Sequence, residues 1–339
     1  MATKRIGKQT VKLNNPPSII ATASIVGPKE GEGPLRLYFD EIIDDELWGE
    51  KSWEKAESKL MRETFAKVLK KANKTAEDME YIVAGDLLNQ CLAANFGLRE
   101  SGIPFFGVYG ACSTMAESMS LGALLVDGAY ADNVVCLTSS HFCSAEKQFR
   151  FPLELGSQRP PTAQWTVTGS GGAVLSSKGS GPYITHVTTG KIVDMGIKDV
   201  NNMGAAMAPA AMDTIVTHLK DTGFTPESYD LIVTGDLGAV GKEICNELIR
   251  EQGYNISDIY NDCGVMIFDR ERQDPHAGGS GCGCSATVFA GFIYKKLMEG
   301  VINNVLFVAT GALLSTTSSQ QGESIPSIAH AISISNSIQ

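Results

Sequence analysis

The feature that most limits what this chain can fold into is that it repeats itself. YIVAGDL at Tyr81–Leu87 returns as LIVTGDL at Leu231–Leu237, about 150 residues on, and Leu69, Lys70, Thr75 and Glu77 fall in register with Leu219, Lys220, Thr225 and Glu227. Each copy reads as an amphipathic helix, a short turn and an apolar strand ending in Gly-Asp. The helices follow from apolar residues at i, i+3 and i+4 spacing: Met61, Phe65, Val68 and Leu69 in one copy, Met212, Ile215, Val216 and Leu219 in the other. A second pair follows, GACSTMAESMSLGALLVDGAYADNVVCLTSS (Gly110–Ser140) and GCGCSATVFAGFIYKKLMEGVINNVLFVATGA (Gly281–Ala312). In both, a turn containing Gly and Cys opens a long apolar helix, which closes at Asp127-Gly128 or Glu299-Gly300 before a strand at Val134–Thr138 or Val305–Thr310. Glycine at that closing position is a common helix stop. Strands alternating with helices of this length imply parallel pairing and a layered α/β core. Two copied halves are expected, residues 1–180 and 181–339.

Composition narrows the function classes. Of 339 residues 43% are apolar and only 19% charged, against ~25% charged in an ordinary globular domain, so the chain can bury a large core and does not read as disordered. A formal net charge of −10 lacks the basic face that a sequence-independent nucleic-acid binder needs. No apolar run approaches the ~18 residues of a membrane span. The start, MATKRIGKQTVKLNNPP, lacks the pattern of a secretory leader, so the eight cysteines are expected as thiols in a reducing, cytoplasmic compartment. Cys282 and Cys284 form a lone CxC without a second pair at zinc spacing, so no metal or cofactor is expected and the two read as small buried residues. The stretch Asp40–Glu57, with eight carboxylates and two lysines, reads as a solvated face. QFRFPLELGSQRPPT (Gln148–Thr162) is an insertion long enough to cover a pocket.

Local chemistry centres on Cys112. It follows the apolar strand expected at Pro104–Tyr109 and opens the helix near Ser113–Val126. A thiol at a helix N-terminus meets unsatisfied N–H groups and the positive end of the dipole, which favour a nucleophilic thiolate; a small buried residue at a tight turn fits the same pattern. The N–H groups of Cys112 and Ser113 equally suit an anion, and a second helix start near Gly281–Ser285 would face the same cleft if the halves are related by pseudo-symmetry. His141 ends the strand that follows the Cys112 helix, where parallel sheets deliver residues to a ligand crevice. Arg150, in the loop beyond, could clamp a carboxylate bidentately, with Lys147 and Arg159 as weaker members of the same basic segment. Asp86 and Asp236 occupy equivalent places, each capping its own turn or offering oxygen to calcium. His330 could line the pocket, whereas His186, His218 and His276 read as surface or helix residues.

The strand, Ala-Cys-Ser turn and long apolar helix, duplicated in one chain, resemble the thiolase superfamily, including the ketoacyl synthases. Gly169-Ser170-Gly171-Gly172-Ala173-Val174 resembles the Gly-Asp-Gly-Ala strand of those enzymes, with Ser170 in place of Asp. Nine ordered blocks (GPKEGEGPL, AGDLLNQ, GACSTMAES, SSHFCSAEKQFRFP, TVTGSGGAVLS, GAAMAPAAMDTI, TGDLGAVG, GGSGCGCSA and ATGALLS), running from about Gly7 to Ala331, are similar to a thiolase-like family of sporulation proteins in spore-forming Bacillales.

That resemblance implies a five-layered αβαβα fold and a homodimer formed through the strand before Cys112. It implies binding of dipicolinic acid (pyridine-2,6-dicarboxylate), alone or as its calcium chelate, for uptake into the developing spore, together with other proteins of the same stage V sporulation operon at the forespore inner membrane. Enzymes of the superfamily pair their Cys with C-terminal partners. Where ketoacyl synthases carry a His this chain has Thr234-Gly235-Asp236-Leu237, and where they carry an Asn it has Gly279-Ser280-Gly281. A nucleophile without a base is a poor catalyst, so acyl transfer by Cys112 is the alternative and a non-catalytic binder the first reading. The expected ligand contacts are Cys112, Ser113, His141, Arg150, Asp236, Gly279, Ser280 and Gly281.

Overall fold

The repeat in the sequence becomes a repeat in strand order. The computed structural model describes residues 4–150 and 153–338. Ten strands form the main path of a twisted sheet: β1 (Ser18–Val26), β2 (Tyr81–Asp86), β3 (Phe105–Gly107), β4 (Asn133–Ser140), β5 (Gly169–Ser176), β6 (Tyr183–Thr188), β7 (Leu231–Thr234), β8 (Tyr260–Asp262), β9 (Asn304–Ala312) and β10 (Ser327–Ser335). Their spatial order is β8-β7-β9-β10-β6-β1-β5-β4-β2-β3. Counted from each half's own first strand, both halves follow the same path outward. β2 lies parallel to β3 and β4, as β7 does to β8 and β9, while β5 and β10 run antiparallel to their neighbours. Along this path the halves meet at Ser18 with Tyr183, and off it Thr10–Lys12 pairs antiparallel with β6.

Helices complete five layers. The outer ones are α1 (Trp53–Lys71) and α2 (Leu92–Leu98) on the first half-sheet, and α5 (Met203–Thr222) and α6 (Gly238–Glu251) on the second. Between the two half-sheets run α3 (Thr114–Asp127) and α7 (Cys282–Val288), the latter continued through Phe289–Ile293 to Tyr294–Met298. These two central helices carry almost no charge, and every residue of α7 is buried, as expected of a helix without a polar face. Close approach demands glycine: a Cβ at Gly171 on β5 would sit 2.4 Å from the backbone of Ala286 on α7. The expected thiolase-like α/β architecture is therefore present. No helix among the described residues is long and apolar enough to cross a membrane.

Three details differ from the sequence reading. Gly128 does not take the left-handed stop at the end of α3. It keeps φ −78° while Ala129 turns left-handed at +58°, whereas Gly300 does so at +69°. Glu57, assigned to the solvated acidic face, is fully buried, because it is the α1 residue that faces Ser139 and Ser144 at 3.2 and 2.6 Å. Phe151 and Pro152 of the expected pocket cover lie outside the described residues.

The third difference is that His186 lies buried on β6, neither at the surface nor on a helix, while His218 is on helix α5 as one reading had it but faces inward. His218 faces Thr188 Oγ1 at 2.8 Å and the Tyr229 hydroxyl at 2.5 Å, and that hydroxyl donates onward to Ser333 at 3.1 Å. The set is complete with a neutral ring. Burial pushes His218 down to about 3, His186 to about 4 and His330 to about 4. These rings refuse the proton that the unfolded chain accepts below about 6.5, so stability should fall as pH drops from there toward 4. His218 alone accounts for roughly 2 kcal/mol lost by pH 5. Glu30 and Glu57, both raised to about 8 by burial, act in the opposite sense and lose stability as pH rises from the ordinary carboxylate range toward 8. Denaturant unfolding of wild type and His218→Asn at pH 7 and pH 5 tests the first effect. The variant should be weaker at both, yet lose roughly 2 kcal/mol less between them; equal losses would remove His218 from the account.

Candidate functional site

The chain enters the site from β3 through Gly110-Ala111-Cys112-Ser113. Ala111 holds φ +51°, a left-handed conformation that costs a non-glycine residue about 1–2 kcal/mol and turns the backbone sharply into α3. The turn satisfies itself. Ser113 N and Oγ both donate to Gly110 O, at 3.1 and 2.6 Å, and Thr114 Oγ1 donates to Ala111 O at 2.6 Å. Ser113 is therefore spent on the turn and does not face the ligand space. The other half presses directly behind: a Cβ at Gly311 on β9 would lie 2.2 Å from Gly110 O.

Asp236, just past β7, ties this turn to the second helix start. It is fully buried, and its carboxylate accepts from Thr310 Oγ1 at 2.7 Å, Ser280 Oγ at 3.0 Å and Gly281 N at 3.0 Å, with the Cys112 thiol close enough to feel its charge. So Asp236 does not cap its own turn. That work falls to Asp262, at the end of β8, which accepts from Leu237 N at 2.8 Å and Gly238 N at 3.0 Å and is raised to about 7 by burial. In the first half Asp86 does cap its own loop, through Leu88 N and Ala94 N, both at 2.8 Å. Neither Asp86 nor Asp236 is left with oxygens facing open space for calcium. Among the described residues no group of three or more His, Cys, Asp or Glu is placed to hold a metal ion.

The electrostatics reverse the expectation of a helix-activated thiol. Cys112 is buried, and burial first, then the charge of Asp236 and the bond to it, lift its thiol well above the ordinary value. The helix dipole is outweighed, because a carboxylate beside a desolvated thiol opposes a second negative charge. Cys112 stands as a protonated donor.

Above Cys112 and Ser280 opens a cavity of ≈ 340 Å³, at the small end of the ~300–1,000 Å³ of small-molecule sites. Leu87, Tyr109 and Phe149 form apolar walls, and Gln158, Asn201 and Ser315 are among the neutral polar groups around them. Arg150 is the one cation among the described lining residues, and its guanidinium lies against the carboxylate of Glu146, also in the wall. Phe149, Arg150 and Gln158 place parts of the expected covering segment at the cavity.

Of the expected contacts the structure brings Cys112, Arg150 and Ser280 to the cavity, with Asp236 directly beneath. Others lie elsewhere. His141 is fully buried but turned away: it caps helix α4 (Phe142–Phe149), its Nδ1 accepting from Cys143 N at 3.2 Å while Nε2 meets Glu46 O at 2.7 Å. Burial holds it neutral. Gly281 gives its N–H to Asp236, and Gly279 gives its carbonyl to Gln164 Nε2 at 2.9 Å. Lys147 pairs with Glu54 at 2.5 Å, Arg159 lies 4.8 Å from the Trp165 ring, His330 accepts from Gly190 N at 3.2 Å, and His276 meets Pro160 O at 2.8 Å. Sequence reasoning missed Gln164, which bridges Asp236 O at 2.6 Å and Gly279 O; no local pattern marks it. Glu146 was also missed, though its i, i+4 spacing to Arg150 is a visible signal.

Comparisons agree with this architecture. The model of the Stage V sporulation protein AD family matches residues 7–335. The chain is 47% identical over 329 residues to the stage V sporulation protein AD of Bacillus subtilis (strain 168), covering 97% of each. Among solved structures it is similar to the 3-oxoacyl-[acyl-carrier-protein] synthase III of Aquifex aeolicus VF5, with TM-score 0.56, 12% identity, and 94% of this chain and 99% of that one covered. It is also similar to cerulenin-bound OleA of Xanthomonas campestris, with TM-score 0.61, 14% identity, and 95% and 98% covered. At these identities the structural likeness concerns the fold alone.

The suppressed thiolate makes a chemical prediction. At neutral pH Cys112 should react with iodoacetamide at least about tenfold more slowly than free cysteine, and Asp236→Asn should speed it up by removing the opposing charge. Peptide mass spectrometry of timed samples reads both rates; labelling of wild-type Cys112 at the free-thiol rate would contradict the assignment.

Proposed function

The chain belongs to the Stage V sporulation protein AD family, and on that premise we propose that it is a non-catalytic thiolase-fold protein that binds dipicolinic acid, alone or as its calcium chelate, for uptake into the developing spore. The observation that carries this reading is a small cavity that opens above Cys112 and the buried Asp236 and whose one cation among the described lining residues is Arg150. In an acyl-transferring enzyme the corresponding partner would draw the thiol proton away and oxyanion donors would face the substrate. Here a buried carboxylate holds the proton on sulfur and consumes the Ser280 hydroxyl and the Gly281 N–H. What remains suits binding: apolar walls for a flat aromatic ring, neutral polar groups, and an arginine for a carboxylate.

The partners follow the same premise. The outer edge of β3, unpaired among the described residues, exposes Phe105 by 36% and Phe106 by 50%, and this edge is the proposed homodimer seam. Other proteins of the stage V sporulation operon, at the forespore inner membrane, are the proposed partners of a peripherally attached complex.

A second reading, acyl transfer by Cys112, is favoured by one observation, the left-handed Ala111 that places a cysteine at the mouth of a helix. Incubation with acyl-coenzyme A thioesters should leave the intact mass of the protein unchanged; an acyl adduct on Cys112 would favour that reading instead. For the first reading, calorimetric titration should show saturable binding of dipicolinate, with or without calcium, and Arg150→Gln should weaken it by about ten- to a hundredfold. Absence of heat from folded wild type in both conditions would overturn the proposal. Light scattering should report a dimer, which Phe106→Arg converts to monomer.

A further inference from the structure

The cavity's arginine is already occupied by a carboxylate of the chain itself. Arg150 directs Nε to one oxygen of Glu146 and a terminal nitrogen to the other at 3.2 Å, the two-pronged grip that a ligand carboxylate would seek. This is no solvent-screened surface pair: the side chains are only 21% and 16% exposed, and both line the cavity. Glu146 has Arg150 as its one side-chain donor among the described residues, so the carboxylate is not committed elsewhere. The geometry is also held in place. Arg150 N donates to Glu146 O at 2.9 Å, and the backbone at Gly156 folds over the pair so closely that a Cβ there would sit 2.9 Å from Arg150 Cδ.

Resting on the reading that this cavity takes an organic dicarboxylate, we infer that Glu146 is a built-in competitor for the ligand's carboxylate at Arg150. Binding is then an exchange, in which a carboxylate of the ligand replaces that of Glu146 on one guanidinium. Such an exchange keeps the number of charged pairs constant, so the net affinity comes from the second carboxylate and the ring. A ligand with a single carboxylate gains little. Glu146 acts through Arg150 and is a positioning and specificity residue, not a catalytic one.

The test is a double-mutant cycle read by calorimetry with dipicolinate, and with picolinate as the one-carboxylate probe. Glu146→Gln should tighten dipicolinate binding by roughly tenfold, the order expected for freeing a partly buried charged pair, and bring picolinate into measurable range. Tightening cannot arise from structural damage. In the Arg150→Gln background the same Glu146→Gln change should give no gain. Unchanged or weaker binding by Glu146→Gln would overturn the inference while leaving dicarboxylate binding intact. An equal gain in both backgrounds would also overturn it, because the effect would then be long-range charge and not competition at Arg150. If neither wild type nor Glu146→Gln binds dipicolinate, the dicarboxylate reading fails and the competitor role with it.

Discussion

Two helices with no polar face, packed between two half-sheets, set the terms for everything else in this molecule. Because α7 is buried along its whole length and α3 along most of its own, their backbones must approach the strands closely, and small residues such as Gly171 and Gly311 stand where a side chain would collide. The same packing brings the starts of both helices to one place. Cys112 and Gly281, far apart in sequence, meet across Asp236 only because the halves repeat one topology face to face.

Burying polar groups at such a junction is tolerable only if each is satisfied. The region around the cavity accordingly holds several carboxylates with dense donor sets: Asp236 takes Thr310, Ser280 and Gly281, Asp262 takes the turn after β7, and Asp86 takes its own loop. Asp86 and Asp262 are lifted by burial, to about 6 and about 7. A cysteine embedded among them is held toward its protonated form, and the cavity above it has Arg150 and Glu146 as the charged side chains among its described lining residues.

The fold was largely legible in the residues. The apolar periodicities of Met61–Leu69 and Met212–Leu219, the paired Gly-Asp strand ends and the two Gly- and Cys-containing turns each correspond to an observed helix, strand or turn. The site was legible only where one local segment carries the role: Cys112 follows a strand and opens a helix, and Arg150 follows an α4 that is itself local. His141 read equally well as a ligand contact, yet its ring caps α4, because which way a residue at a strand end turns depends on the neighbouring Thr168 and Glu46 and not on its own neighbours in sequence.

What the sequence by itself determined is the duplication, the layered α/β core and the cysteine at a helix start, since these rest on periodicity and turn chemistry within short windows. Only the tertiary structure decided the state and company of the polar groups. Desolvation and the field of Asp236 override the helix dipole at Cys112, burial between Thr188 and Tyr229 of two other segments keeps His218 neutral, and Arg150 is already paired in the wall of the cavity. Each of these depends on distances between residues remote in the chain, and electrostatic energies in a dry interior vary too steeply with such distances for spacing along a sequence to reveal them.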